Sequence, residues 1–329
     1  MKIVFCKHTA LFLLRLSSTQ APVPASGQRY APVPSAPLIA SRVRENPLFD
    51  QCPRPLHVLA LDHRRPRPTD EIVFHTWSAR ITPRRLAEPF EGLCCLGPEL
   101  TLLHLATSLH PLALLMLAHE LCGRYRICQD PPGFFEAEPL TSTRRLSALV
   151  EASAGVPGAK PLRTLLPYLS ENARSPMESA VALMVGLPQR LGGLGLPRPT
   201  LNQRISPGRR GRAATSAHFY DCDLFWPQAR LALEYDSDLC HTGADRLNSD
   251  AARRTALLAL GITVVTATRD QIYRPRQFRQ LETTLRRQLG VRRQVRCADF
   301  ERRQEKLRRY ALGTGLRPGT PEHFVRFGR

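Results

Sequence analysis

Lysine is nearly absent from this chain of 329 residues. Only four of its 47 basic residues are lysines, namely Lys2, Lys7, Lys160 and Lys306. Arginine therefore carries most of the positive charge, which exceeds that of the 28 acidic residues by a formal net +19. Such an excess indicates a polyanionic partner, either nucleic acid or an acidic membrane face, although an arginine-rich coding composition would give the same balance.

Long apolar runs and metal-type cysteine patterns are also missing. No segment holds about eighteen apolar residues in succession, which excludes an integral membrane protein. The apolar run 10–14 lies between Lys7 and Arg15 and is poorly shaped for a signal peptide. Nine cysteines form no C-x-x-C pair and no zinc-type spacing, which indicates thiols in a reducing compartment. We therefore expect a cytoplasmic protein with no membrane partner.

The length and the 43% hydrophobic content exclude full disorder and predict two domains with buried cores. Composition and turn signals predict four parts: an N-terminal segment with a Pro-rich linker (1–45), a smaller, mainly helical α+β region (46–172), an α/β domain (173–290) and a basic C-terminal tail (291–329). Leucines at helical spacing from Pro98 to Cys122, with a break at His110-Pro111, predict two buried helices in the second part.

The third part is the most informative. Ser175-Pro-Met-Glu178 is a capping box that starts a helix. Strands are predicted near 201–205, 217–226, 230–235 and 262–266, with a helix over 245–260 before the last of them. This order of elements predicts an α/β fold with a mixed sheet flanked by helices.

Two of these strands form a predicted hairpin that gathers acidic residues. If Gln228 and Ala229 are its two-residue loop, paired residue numbers sum to 457. Asp223 then lies opposite Glu234, and Asp221 lies opposite Asp236, with all four side chains on one face and opposed Cβ atoms about 5 Å apart.

Opposed like charges destabilise a sheet, so this face needs cations. A divalent ion would satisfy it, because Mg²⁺ binds a few carboxylate oxygens together with water and phosphate and can polarise a phosphodiester. The alternative is a solvated acidic face that arginines neutralise. A register shift by one residue would separate the acids onto opposite faces.

Several sequence motifs of the third part resemble those of a known family. The motifs are Asp223-Leu-Phe-Trp-Pro227, Arg230-Leu-Ala-Leu-Glu-Tyr-Asp236, His241, Asp250 with Arg253-Arg254, and Gly261-Ile-Thr-Val-Val265. In order and spacing they resemble the very-short-patch-repair-like endonuclease domains of the PD-(D/E)XK superfamily, over roughly residues 174–290. The resemblance implies a restriction-endonuclease-like core that hydrolyses DNA with Mg²⁺ or Mn²⁺. It implies Asp223 and Glu234 as metal ligands and Glu178 as a carboxylate from the first helix.

The chain departs from the family pattern at two positions. The usual lysine two residues after the second acid is Asp236, and the glycine that commonly follows is Ser237. His241 is then the candidate to activate or orient water, or it is a structural histidine.

Arginines supply the candidate DNA contacts. Arg246, Arg253 and Arg254 lie on the predicted helix where they could contact phosphate, although Asp250 and Arg254 could instead form an i,i+4 pair. From Arg269 to Arg329 there are 17 basic and 6 acidic residues, a net +11, and Arg286 and Arg287 are candidates for a phosphate backbone. A solvated surface face is the alternative for this tail.

A second, softer resemblance concerns Gly97 to Leu103 and Glu120 to Gly123. These segments are similar to the middle of AbiEi-type abortive-infection antitoxins, although core packing explains the leucines equally well. Three hypotheses result: a metal-dependent DNA endonuclease, which could form a homo-oligomer; a nucleic-acid-binding regulator of antitoxin type on a degenerate nuclease fold; or a structural module whose arginines reflect composition.

Overall fold

The computed structural model describes residues 3–17, 23–24, 33–60, 66–77, 81–206, 219–236, 244–295 and 297–327; the side chains of 23–24, 83, 244–251 and 324 are not described. The chain divides into two compact units. Unit 1 comprises Met1–Leu169 with Gly315–Arg329, and unit 2 comprises Ser170–Thr314.

Unit 1 is built on a six-stranded sheet. Its strands are β1 (Val4–Phe5), β2 (Val23–Pro24), β3 (Leu56–Ala60), β4 (Ile72–Thr76), β5 (Leu86–Phe90) and β6 (Leu93–Leu96), in the order β2-β5-β6-β1-β3-β4. A separate hairpin pairs β7 (Tyr125–Gln129) with β8 (Pro132–Glu136). The helices are α1 (Lys7–Leu16), α2 (Ala36–Arg44), α3 (Pro98–Leu105), α4 (Pro111–Leu121), α5 (Thr143–Glu151), α6 (Ala159–Leu165) and, after unit 2 in the chain, α12 (Pro321–Phe327).

The predicted pair of leucine-rich helices in unit 1 is confirmed. Pro111 ends any continuation of α3 because it lacks an N–H, and it starts α4 at the first helical position, where His110 is the N-cap. Nearly every residue of both helices is buried, which explains why their apolar residues do not keep to one stripe.

One expectation about unit 1 is corrected. The segment 1–45 is not separate from the rest of this unit, because β1 lies inside the six-stranded sheet between β6 and β3 and α1 is largely buried. The region 46–172 combines helices and strands, as expected for an α+β region. It supplies β3 to β6 of the sheet and the β7–β8 hairpin together with the helices α3 to α6.

Unit 2 has the predicted α/β order of elements. Its elements are α7 (Pro176–Gly186), β9 (Thr200–Ile205), β10 (Tyr220–Trp226), β11 (Leu231–Asp236), α8 (Ala244–Ala259), β12 (Thr263–Thr268), α9 (Arg269–Tyr273), α10 (Pro275–Leu289) and α11 (Phe300–Leu312). The sheet order is β12-β11-β10-β9, with β10 antiparallel to both neighbours and β11 parallel to β12. The sheet is therefore mixed, and it has helices before and after its strands, as expected.

The basic stretch after α10 does not form a separate tail. Its first part belongs to unit 2, where α11 packs against α7 and buries Phe300, Leu307 and Ala311. The left-handed conformation of Gly192, with φ +94°, lets the α7–β9 connection pass directly against the carbonyl of Arg303. Residues 315–329 belong to unit 1 instead.

Within the residues whose structure is given, no helix is long and apolar enough to cross a membrane.

Candidate functional site on the β10–β11 hairpin

A tight turn fixes the register of the hairpin that carries the acidic residues. The turn is Pro227–Arg230, closed by a hydrogen bond from the N–H of Arg230 to the carbonyl of Pro227 at 3.2 Å. The observed pairs Leu224 with Leu233, Phe225 with Ala232 and Trp226 with Leu231 each sum to 457. The predicted register is therefore confirmed for these pairs, and it directs Asp223 toward Glu234.

Asp223 and Glu234 both line an open cavity of about 240 Å³. The N–H of Tyr235 donates to Oδ2 of Asp223 at 3.0 Å, which ties the aspartate across the hairpin. The cavity is also lined by Asp236, Arg253 and Arg254, so five of the ten site residues expected from the sequence meet at one place.

The paired carboxylates are electrostatically unfavourable in their deprotonated forms. Burial raises the pKa of Glu234 to about 7, and the nearby charge of Asp223 adds to the increase. Burial also raises the pKa of Asp223, although the Tyr235 N–H and the charges of Arg253 and Arg174 oppose the increase. A cation placed between the two groups would relieve this repulsion.

Arg253 supplies part of the missing positive charge. Its Nη2 donates to Oε2 of Glu234 at 3.0 Å and also to the carbonyl of Asp221. The other carboxylate oxygen of Glu234, Oε1, is buried and has no hydrogen-bond partner. One oxygen of the pair therefore lacks a donor or a cation.

Glu178 is close to this pair, but its oxygens are already engaged. Oε2 accepts from the Arg174 N–H at 2.8 Å and from Nδ2 of Asn202 at 2.5 Å, while Oε1 accepts from the Ser175 hydroxyl at 3.0 Å. The side chain is only 8% exposed, and burial together with the charge of Asp223 raises its pKa to about 7. Ser175 is the N-cap as predicted, because its hydroxyl accepts from the Glu178 N–H. The predicted capping box is not completed, because Glu178 accepts from the N–H of Arg174 and not from that of Ser175. Glu178 thus joins the cap of α7 to the edge of the site.

Asp221 behaves as a neutralised surface acid rather than as a member of a four-acid group. Arg174 and Arg204 contact its two oxygens at 2.8 and 3.2 Å. Burial alone would raise the pKa of Asp221, but these two arginines outweigh burial and lower it. Asp236 is exposed at the mouth of the cavity. Arginine neutralisation, the alternative left open by the sequence, therefore applies to Asp221.

The carboxylate pair suits a hard divalent ion only in part. In the portion of the chain that is described, no group of three acidic, histidine or cysteine side chains is arranged to hold a metal ion. The pair Asp223 and Glu234, with its orphaned oxygen, still matches the usual demand of Mg²⁺ for one or two carboxylates, with water and phosphate completing the shell. The residues present therefore fit a Mg²⁺ site in which water and a substrate phosphate complete the coordination. They do not fit a site in which side chains supply every ligand.

Not all of the predicted site residues lie in the part of the chain that the structure describes. His241 and Ser237 lie outside the described residues, and so do the side chains of Arg246 and Asp250, whose backbone is helical. Arg254 and Arg287 are exposed, as a phosphate contact requires.

The prediction that Arg286 contacts DNA is wrong. It is only 7% exposed, and it donates to Oε1 of Glu282 and to the carbonyl of Leu194, both at 2.7 Å. The amphipathic period of α10 turns Arg286 toward the core beside Leu285, whereas the neighbouring Arg287 faces solvent.

Asn202 and Arg174 were missed by sequence reasoning. Asn202 has φ +48°, in the left-handed region, and its amide joins Glu178 to the carbonyl of Asn172. An asparagine in a predicted edge strand is a weak signal of such a backbone conformation. Arg174 precedes the capping serine, and nothing in its sequence context distinguishes it from the other arginines.

Comparisons with known proteins give little functional information. No family model matches the chain, and no solved structure matches it. The chain is 33% identical over 125 residues to two Mycobacterium tuberculosis proteins, the uncharacterized protein MT2308 of strain CDC 1551 / Oshkosh and the uncharacterized protein Rv2248 of strain ATCC 25618 / H37Rv. The match covers 38% of this chain and 41% of the length of each relative.

Proposed function

We propose that unit 2 is a Mg²⁺- or Mn²⁺-dependent nuclease of the PD-(D/E)XK type that hydrolyses phosphodiester bonds of DNA in the cytoplasm. One observation carries the proposal. Two half-buried carboxylates, Asp223 and Glu234, face each other in an arginine-lined cavity, and Oε1 of Glu234 is buried without a hydrogen-bond partner. Two like charges placed together lower the stability of the folded state, and metal binding is a function that would account for this loss.

The charged residues of the cavity would divide this chemistry between them. Asp223 and Glu234 would hold the ion. When bound, Mg²⁺ supplies polarisation of the phosphodiester and lowers the pKa of its water. Arg254, exposed at the cavity, is positioned to pair with a phosphate of the bound strand.

The proton of the attacking water needs an acceptor other than lysine. Asp236 stands where the family places that residue, and it is an exposed side chain that lines the cavity. Asp236 or His241 therefore takes this proton in the proposed reaction.

Cleavage of plasmid DNA by the full chain tests the proposal. We expect nicking that requires Mg²⁺ or Mn²⁺ and that falls by at least about a hundredfold in Asp223→Asn and in Glu234→Gln. Asp270→Asn is the matched control, since this acid is half exposed in α9 and pairs with Arg274 at 3.1 Å. Cleavage that persists in both site variants would remove the assignment.

A second function is favoured by the Arg253 ion pair. Because Arg253 already neutralises Glu234, unit 2 could be a catalytically degenerate nuclease fold that binds DNA as a regulator of antitoxin type. This candidate predicts salt-sensitive DNA binding that is unchanged by EDTA, with no cleavage. Binding that appears only with Mg²⁺ would exclude it.

A further inference from the structure

Arg253 of α8 occupies one oxygen of the carboxylate pair in the cavity of unit 2. Its Nη2 donates to Oε2 of Glu234 at 3.0 Å and also to the carbonyl of Asp221. The side chain of Arg253 is 37% exposed, that of Glu234 is 19% exposed, and both line the open cavity. A solute that enters the cavity can therefore reach this ion pair.

Arg253 would compete with a divalent ion for Glu234. A metal ion that takes this carboxylate as a ligand places a second positive charge beside the guanidinium, and like charges in a partly buried cavity repel each other. Oε1 of Glu234 is buried and has no hydrogen-bond partner, so the carboxylate still has an oxygen to offer. The arginine therefore weakens metal binding without closing the site.

The charges of the cavity balance when a metal ion and a phosphate are both present. Three acidic and two basic side chains of the described residues line it, namely Asp223, Glu234, Asp236, Arg253 and Arg254. When all five are ionised their net charge is −1, and a divalent ion alone changes it to +1. One phosphodiester, which carries a single negative charge, then brings the sum to zero. Each ligand should therefore bind more tightly when the other is present.

The guanidinium of Arg253 can turn toward a phosphate while α8 stays in place. Ala256 and Leu257 of this helix are buried in the core beside the sheet and anchor it. Both hydrogen bonds of Arg253 to Glu234 and Asp221 use the same nitrogen, Nη2. A phosphate can instead accept two parallel hydrogen bonds from a guanidinium, which is the stronger arrangement. A phosphate in the cavity thus offers Arg253 a partner with better geometry than Glu234.

We propose that Arg253 exchanges Glu234 for a phosphate of DNA, and that the DNA and the metal ion therefore bind cooperatively. This role rests on the proposed nuclease function and regulates the same site, since Glu234 is fully released to the ion only after a strand has entered. A permanent ion pair would act differently, because Arg253 would then support Glu234 and the two ligands would bind independently.

DNA binding by the full chain, with and without Mn²⁺, measures the cooperativity. A short labelled duplex with phosphorothioate linkages resists hydrolysis during the titration, and fluorescence anisotropy reports its affinity at constant ionic strength. We expect Mn²⁺ to tighten DNA binding at least about tenfold in the wild type, and DNA to tighten Mn²⁺ binding by the same factor. Equal affinity for DNA with and without Mn²⁺ would overturn the proposal.

Variants of Arg253 separate competition from support. Mn²⁺ binding to the DNA-free protein, followed by the paramagnetic resonance signal of the free ion, should be at least about tenfold tighter in Arg253→Met. Arg253→Gln should show the same gain, and it keeps an N–H donor for Glu234 that favours correct folding. Arg253→Lys retains the positive charge and should bind Mn²⁺ like the wild type. Arg279→Met removes the same charge from an exposed position of α10 and is the matched control, with no change expected.

The outcomes for Arg253 and for the nuclease can be told apart. Weaker or unchanged Mn²⁺ binding in Arg253→Met and Arg253→Gln would overturn the proposal and make Arg253 a structural support of Glu234. Absence of Mn²⁺ binding in every variant, with or without DNA, would overturn it as well. Cooperative binding without cleavage would refute the nuclease and retain this role of Arg253, whereas cleavage without cooperative binding would do the reverse.

Discussion

Asp223 and Glu234 oppose folding when both are charged. Their raised pKa values report that burial and mutual repulsion disfavour the charged forms that predominate in the unfolded chain at neutral pH. An amide at either position removes one of the two charges and retains an oxygen that can accept a hydrogen bond. Activity and stability should therefore respond in opposite directions.

We expect Asp223→Asn to raise the free energy of unfolding in EDTA at pH 7.5, while it lowers the proposed cleavage by at least about a hundredfold. The amide oxygen can still accept from the Tyr235 N–H, so the hairpin is kept. Chemical denaturation with the Asp270→Asn control measures the change. A loss of stability in Asp223→Asn would contradict the electrostatic interpretation.

The neighbours Arg286 and Arg287 differ in burial and should differ in their effects. Arg286→Met leaves Glu282 buried with its main partner removed, so we expect a loss of about 3–5 kcal/mol of stability. Arg287→Met should leave stability within about 0.5 kcal/mol and weaken DNA binding in a salt-dependent way. Urea denaturation and a DNA-binding titration at two salt concentrations measure both effects. If Arg286→Met were neutral for stability, its assigned role in the core would be wrong.

Among the elements, the β10–β11 hairpin is the best predicted from the sequence. A two-residue loop fixes which residues face each other, so Asp223 and Glu234 could be paired without knowledge of the rest of the fold. The ion pair of Arg253 with Glu234 could not be predicted, because it depends on how α8 lies over the sheet.

Helix α11 depends on a close approach that only glycine permits. A Cβ on Gly192 would overlap the backbone at Arg303, whereas a Cβ on Gly290, also left-handed with φ +65°, would meet nothing within 4 Å. We expect Gly290→Ala to cost about 1 kcal/mol and Gly192→Ala to cost at least twice as much. Thermal unfolding of the two variants provides the comparison, and equal losses would show that α11 does not need the contact.

At the scale of the whole molecule, the two units should respond to pH with opposite signs. In unit 2 the folded pKa values of Glu178 and Glu234 are raised from 4.5 to about 7, so the folded state holds protons that the unfolded state releases. Stability from these groups falls as pH rises from about 4.5 to 7. In unit 1 the folded pKa values of His8, His57 and His104 are lowered from 6.5 to between about 3 and 4, so the unfolded state holds more protons. Stability from these groups rises as pH increases from about 4 to 6.5.

Scanning calorimetry in EDTA between pH 5 and 6.5 tests this contrast. We expect one unfolding transition to move up in temperature and the other to move down as pH increases. Glu234→Gln should reduce only the fall in the unfolding temperature of unit 2. His57→Gln should reduce only the rise in the unfolding temperature of unit 1. Two transitions that move in parallel in both variants would show that other groups control the pH response.

The division of the chain has a consequence for its synthesis. Unit 2 is inserted within unit 1, because residues 315–329 return to the unit that residues 1–169 begin. Arg15 bonds to Glu120 and also to the carbonyl of Val325, so the ribosome must translate all of unit 2 before this buried guanidinium gains its last partner. Unit 2 can therefore fold on the nascent chain before unit 1 is complete, and a ribosome stalled near residue 314 would carry a complete unit 2 and an unfinished unit 1.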